Sequence, residues 1–218
     1  MKFNPGIQFK ILMNIIIVSL IALVLLIFFM KNSNEEKAVN NANETAKMLA
    51  LEQSLTIEKY LDAKMKYISA FTSYLNGMDN LSPSQLVEKS NGVIQNMLKD
   101  DPDFKAIVVS WDKTFTNETW NKPYGREIHS FFRMNNKIEY NKLSYDSLNE
   151  NQDTYFYSVK ASGKGQFFDP SGENGFTTIY NSHEPLTGFI MPVILNGNFA
   201  GTIRADIPVS AFNEMVNA

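Results

Sequence analysis

The chain has no cysteine. That excludes disulfides, thiolate metal sites and a cysteine nucleophile. Histidine is almost as scarce: His129 and His183 are far apart in sequence, without metal-ligand spacing, and no nucleophile–base arrangement accompanies either. Ser162-Gly163-Lys164-Gly165 lacks the full glycine–lysine spacing of a phosphate loop and reads as a turn. The sequence therefore offers no catalytic, metal or cofactor-binding residues, and an enzyme is the weakest functional class. Acids outnumber bases, with a net charge of −3, so there is no electrostatic reason to bind nucleic acid.

Two local absences organise the rest. Ile11 to Met30 contains no charge, and only Asn14 and Ser19 are polar. At about 1.5 Å per residue, a helix of that length crosses a hydrocarbon layer about 30 Å thick. Lys2 and Lys10 precede it without an acid, so the positive-inside bias puts the N-terminus in the cytoplasm and the following domain outside. Phe28-Phe29-Met30-Lys31 offers no small-residue cleavage pattern, which favours an uncleaved anchor in the inner (cytoplasmic) membrane over a signal peptide. From Glu35 to Met78 there is no proline and only Gly77 as glycine. One long helix is expected, with Ile57, Leu61, Ile68, Phe71, Leu75 and Met78 as a buried stripe. Ala38, Ala42, Ala46 and Ala50 form a row suited to close approach by a second copy, a homodimer through this helix. This helix is expected to be continuous with the membrane helix or separated from it by a short break near Asn32-Ser33-Asn34.

Beyond Met78 the pattern is mixed. Ser82-Pro83-Ser84-Gln85 has an N-cap, a first-turn proline and a capping-box glutamine, predicting a helix at about 84–99 that ends before Pro102. Phe104 to Trp111 is β-branched and aromatic. Phe131–Met134 and Lys137–Tyr140 flank Asn135-Asn136, and Phe189–Leu195 and Phe199–Ile207 flank Asn196-Gly197, giving two hairpins. Residues 145–153 read as a loop or short helix, and 176–180 as a further strand. Pro192 is expected where a strand bends. The fold class is α+β: a transmembrane helix, a long amphipathic helix and an antiparallel sheet of about five or six strands. The expected division is a tail at 1–10, an anchor at 11–30, a long helix at 31–80 and a sheet module at 81–218.

Phe156-Tyr157, Gly163-Lys164, Asp169-Pro170, Gly188 to Val193 and Asn196 to Ile207 together resemble the end of the membrane-distal module of a double Cache domain, the PAS-like sensor of bacterial methyl-accepting chemotaxis proteins and related receptors. The resemblance implies small-molecule sensing and transmembrane signalling, with chemotaxis as the expected output. It makes Tyr157, Asp206 and Phe156 ligand-binding candidates, with Trp111 as a second apolar wall and Asp169 at the rim. Core packing is the alternative role for Phe156 and Tyr157. Thr154 stands where amino-acid-sensing members carry a carboxylate-gripping arginine. Asp206 then favours a cationic or neutral polar ligand, unless Arg126 or Arg133 replaces that arginine. Such a receptor would continue into a membrane-proximal module, a second membrane helix and an output domain, so the chain is expected to be an N-terminal fragment. The competing reading is a membrane-anchored structural protein of the pilin type. It requires a cleavage-point glycine with glutamate at the fifth position beyond, but after Gly6 that position is Ile11.

Overall fold

A computed structural model describes residues 7–78, 80–146, 155–171 and 184–216. Helix α1 (Ile7–Asn76) is helical through residues 32–34. The chain divides into two units, Met1–Leu55 and Thr56–Ala218. In the first, the described residues carry one helix long and apolar enough to cross a membrane. Its side chains from Ile16 to Met30 are exposed, as are Ala38, Ala42, Ala46 and Ala50.

The second unit begins with the last turns of α1, where Ile68, Phe71 and Leu75 are buried. Gly77 follows the last helical residue. Helix α2 (Pro83–Asp100) starts at the expected capping box: the Ser82 hydroxyl accepts from Gln85 N–H, and the Gln85 side chain accepts from Ser82 N–H. Strand β1 (Ala106–Asp112) leads into a single turn, α3 (Lys113–Thr116), then β2 (Arg126–Met134) and β3 (Lys137–Tyr145). Helix α4 (Tyr155–Ser162), β4 (Gln166–Ser171), β5 (Leu186–Leu195), β6 (Asn198–Pro208) and α5 (Ser210–Val216) complete the described chain. The strand candidate at 176–180 lies outside the described residues.

All six strands form one antiparallel sheet in the order β3-β2-β1-β6-β5-β4. Both predicted hairpins form on turns of positive φ: Asn135 at 51° and Asn136 at 60°, Asn196 at 50° and Gly197 at 79°. Pro192 adjoins a register shift at Val193/Ile194. Proline is tolerated at such a bulge because the ladder is already interrupted.

Alternation along the strands gives the sheet two different faces. One carries Ile107, Val109, Trp111, Phe131, Phe189 and Ile203 into a core with Phe71, Leu75, Ile94 and Leu98 of the long helices. The other carries a smaller cluster, Ala106, Val108, Ile128, Phe132 and Leu186. Helix α4 contacts β5 and β6 and buries Phe156 and Val159.

At the edge of the helix-covered face, Lys64 of α1 pairs with Asp101 at 2.6 Å and Asp103 at 2.7 Å, and Tyr60 donates to Asp103 at 3.1 Å. The hydrogen bond from Lys64 holds the Asp103 carboxyl below its usual range. Arg133 caps α2 by donating to the carbonyls of Leu98 and Asp101, which commits its guanidinium to structure.

Candidate functional site

The second face is where the sequence and hydrophobic packing part company. Buried on it among and beside the apolar residues are Ser110, Asp112, Arg126, Ser130, Thr202, Arg204 and Asp206. Among the described residues, only Ser90 and His129 of the buried polar side chains lie elsewhere. Burying charge against an apolar sheet is costly unless each group is paired, and paired burial is often no more stabilising than apolar packing.

The charges form two poles. At one, Arg126 and Asp112 are cross-strand partners. The loop into β2 is held by Trp120, whose indole N–H donates to Tyr124 O at 2.6 Å. Gly125, at φ +111°, lets the indole lie 2.8 Å from where a Cβ would be. Arg126 then sits with its guanidinium carbon 5.2 Å from the Phe156 ring centre and 5.5 Å from that of Tyr145. Asp112 caps α3 by accepting from Thr114 N–H at 2.9 Å and its hydroxyl at 2.7 Å through Oδ1, while Oδ2 meets the Lys160 ammonium of α4. Gly125 N–H donates to the Tyr157 hydroxyl at 3.4 Å.

At the other pole, Arg204 Nε donates to Asp206 Oδ1 at 2.5 Å, two residues along the same strand and therefore on one face. The Arg204 guanidinium stacks over Phe168 at 4.1 Å, and Phe168 meets Tyr155 of α4 at 5.8 Å. The Ser130 hydroxyl, buried between the poles, has no hydrogen-bond partner among the described residues.

The expected site residues are thus separated. Phe156 and Tyr157 lie together at the Arg126 pole, with Phe156 buried and edge-on to Phe199 at 5.7 Å. Asp206 lies at the opposite pole and already has a cation beside it. Trp111 is on the other face of β1, stacked on Phe115 at 5.5 Å within the helix-packed core, so it forms no wall with Phe156. Asp169 is in β4, but its side chain lies outside the description, as do Thr154 and His183. Arg133 is spent on the α2 cap. Sequence reasoning missed Asp112, Lys160, Ser130 and Arg204. Two signals could have found some of them: Arg204 is two residues from Asp206, and Arg126-x-Ile128-x-Ser130 alternates in step with one strand face.

The helix-covered face has a cavity of about 440 Å³ lined by residues that include Lys113, Glu127 and Lys142. Its charges are already matched, Lys142 to Glu127 at 2.8 Å and Lys113 to Asp146. Behind it, buried His129 faces Glu127 at 2.7 Å and the Tyr140 hydroxyl at 3.0 Å. Burial pushes the His129 pKa down. Burial also pushes Glu127 up, but hydrogen bonds and charge from Lys142 and His129 outweigh it and leave the carboxyl low.

No protein-family model and no curated protein matches the sequence. Solved structures do match the fold. The sensory domain of the chemoreceptor Tlp3 (CcmL) from Campylobacter jejuni superposes with a TM-score of 0.55 at 10% identity, over 77% of this chain and 60% of that one. Its complex with L-valine superposes equally well, at 0.55, with the same identity and coverage. The extracellular domain of soHK1S-Z6, assigned as a histidine kinase, gives 0.51 at 15% identity, over 76% of this chain and 58% of that one. The fold is shared with the Tlp3 sensory domain and the soHK1S-Z6 extracellular domain. The chain spans little more than half the length of these sensor structures. Its sheet unit has their architecture, with the charged face and α4 as the features that distinguish one side from the other.

Proposed function

We propose that this chain is the sensor part of a membrane-anchored bacterial receptor, binding a small molecule on the charged face of the sheet beneath α4 and signalling through α1. The carrying observation is the row of buried charges on that face, from Asp112 and Arg126 to Arg204 and Asp206. A domain of this size gains nothing in stability from such a row, whereas a ligand site needs convergent polar groups in an otherwise apolar wall. Support also comes from the sensor folds of Tlp3, whose solved complexes contain L-valine and isoleucine. In this reading Ile11 to Met30 anchors the chain with its N-terminus in the cytoplasm. The alanine row of α1 meets a second copy, and ligand binding shifts the population of two helix arrangements. Chemotaxis and kinase control are both outputs compatible with the fold.

The test is a thermal-shift screen of the full chain in lipid nanodiscs against a library of small metabolites. At least one compound is expected to raise the melting temperature saturably, and a library without a hit contradicts the sensor reading. Intact-mass analysis of the same sample separates the pilin alternative, which requires removal of residues up to Gly6.

A further inference from the structure

We propose that the cavity on the helix-covered face is a second binding site, and that it takes a neutral polyhydroxylated molecule of monosaccharide size. It lies on the opposite side of the sheet from α4, and the argument for it does not depend on the charged face.

The site is built from both layers of the unit. Strand β2 contributes Glu127, and β3 contributes Lys142, the register partner of His129, so these side chains share the helix side of the sheet. The first turns of α2 add Ser84 and Val87, and α3 adds Lys113 and Thr116. At about 440 Å³ the cavity falls within the roughly 300–1,000 Å³ of small-molecule sites.

Glu127 decides the ligand class. Its two contacts both fall on Oε1, which meets His129 Nε2 at 2.7 Å and the Lys142 ammonium at 2.8 Å. Oε2 accepts no hydrogen bond among the described residues. Burial works against ionisation of this carboxyl, but hydrogen bonds and charge from Lys142 and His129 outweigh it. Behind the carboxylate, the buried His129 ring is held at Nδ1 by the Tyr140 hydroxyl at 3.0 Å, which fixes the direction of Glu127. A surface ion pair needs no buried histidine behind it, whereas a preset binding group is supported in this way.

The surrounding charges turn away charged ligands. Lys113 is balanced by Asp146 and Lys142 by Glu127, so an ammonium would meet two lysines and a carboxylate or phosphate would meet Glu127. A hydroxyl suits both neighbours, because it donates and accepts at once. One hydroxyl can donate to Glu127 Oε2 and accept from Lys142, bonds strengthened by the charge on the protein partner. Its neighbours on the same carbon frame can reach Lys113 and the hydroxyls of Ser84 and Thr116, which have no partner among the described residues. Val87 gives that frame an apolar wall. Water makes such bonds singly; a polyol makes several at once and releases the waters it replaces.

The experiment is titration calorimetry of the full chain in nanodiscs with two matched trios. These are D-glucose, D-glucosamine and D-glucuronate; and D-galactose, D-galactosamine and D-galacturonate. In at least one trio the neutral sugar is expected to bind with a Kd of about 1 mM or tighter, and at least about tenfold more tightly than its amine and its acid. Ser84→Trp, at an exposed position on the cavity wall, and Glu127→Gln should each weaken that sugar at least about tenfold. Absence of binding by both neutral sugars overturns the inference, as does a charged member within tenfold of its sugar, or a sugar whose affinity neither variant changes. The wild-type ranking needs no variant to fold. The sensor reading fails separately: a hit from the metabolite screen that survives Ser84→Trp belongs to the α4 face whether or not a sugar binds here, and a sugar lost in Ser84→Trp says nothing for that face.

Discussion

On the helix side of β1 the buried side chains are Ile107, Val109 and Trp111; on the α4 side of the same strand they are Ala106, Val108, Ser110 and Asp112. The contrast repeats on β6, where Ile203, Ala205 and Ile207 face the helices and Thr202, Arg204 and Asp206 face away. Backbone hydrogen bonding cannot explain the difference, because the two faces share every ladder bond. It lies in what each face must do. The helix side supplies folding energy by burying apolar area at roughly 25 cal/mol per Å². The α4 side spends some of that stability on a fixed set of charges.

The sharpest way to break this comparison is to damage each face and compare the losses. Phe71→Ala opens a cavity on the helix side and should cost about 3–5 kcal/mol by denaturant unfolding. A loss under about 1 kcal/mol would mean that the helix face is not the main source of stability. On the α4 side, Arg204→Met or Asp206→Leu alone takes from the other buried charge its neighbour on the strand and should cost about 3 kcal/mol. The double variant Arg204→Met/Asp206→Leu should return to within about 1 kcal/mol of wild type, since both charges leave together. Losses that simply add would show that the pair is a net stabiliser, and the two faces would no longer differ in purpose.

A smaller effect concerns His129, a polar exception on the helix side. Burial lowers its folded-state pKa, so the folded protein resists the proton that the unfolded chain takes up below about pH 6.5. The unfolded state then binds more protons, and stability falls as pH drops from that value towards the lowered folded value. Stability should decline between pH 7 and 5 by less in His129→Gln than in wild type. Equal slopes would remove His129 from the acid response.

The outline of the fold was legible because local chemistry set it. Ser82 to Gln85 carries a complete capping box, and Asn135-Asn136 and Asn196-Gly197 meet the positive-φ demand of tight hairpins. The strand order was not legible, because β1 pairs with β6 across nearly a hundred residues and no local pattern encodes that choice. The site was legible only in part. β1 is buried on both faces and reads as a continuous apolar run, so nothing in 106–112 told which side Trp111 takes. The β2 strand starts at Arg126, five residues before the apolar Phe131 that marked it in sequence, because Glu127 and His129 obscure the alternation. Helix α4 went unanticipated, its eight residues too few for a helical period to stand out. Asp206 was singled out through its resemblance to the acid on the family's last strand; the structure buries it beside Arg204, a partner two residues away that the sequence reading passed over.

The central claim is that the α4 face of the sheet receives the small molecule. Hydrogen-exchange mass spectrometry of the full chain, with and without a saturating hit from the metabolite screen, tests it without altering a residue. Amides of Tyr155–Ser162 and of β2 from Arg126 to Ser130 are expected to exchange more slowly with ligand, while α2 changes little. Protection confined to α2 and the last turns of α1, with Tyr155–Ser162 unaffected, would place the ligand on the helix side and contradict the account.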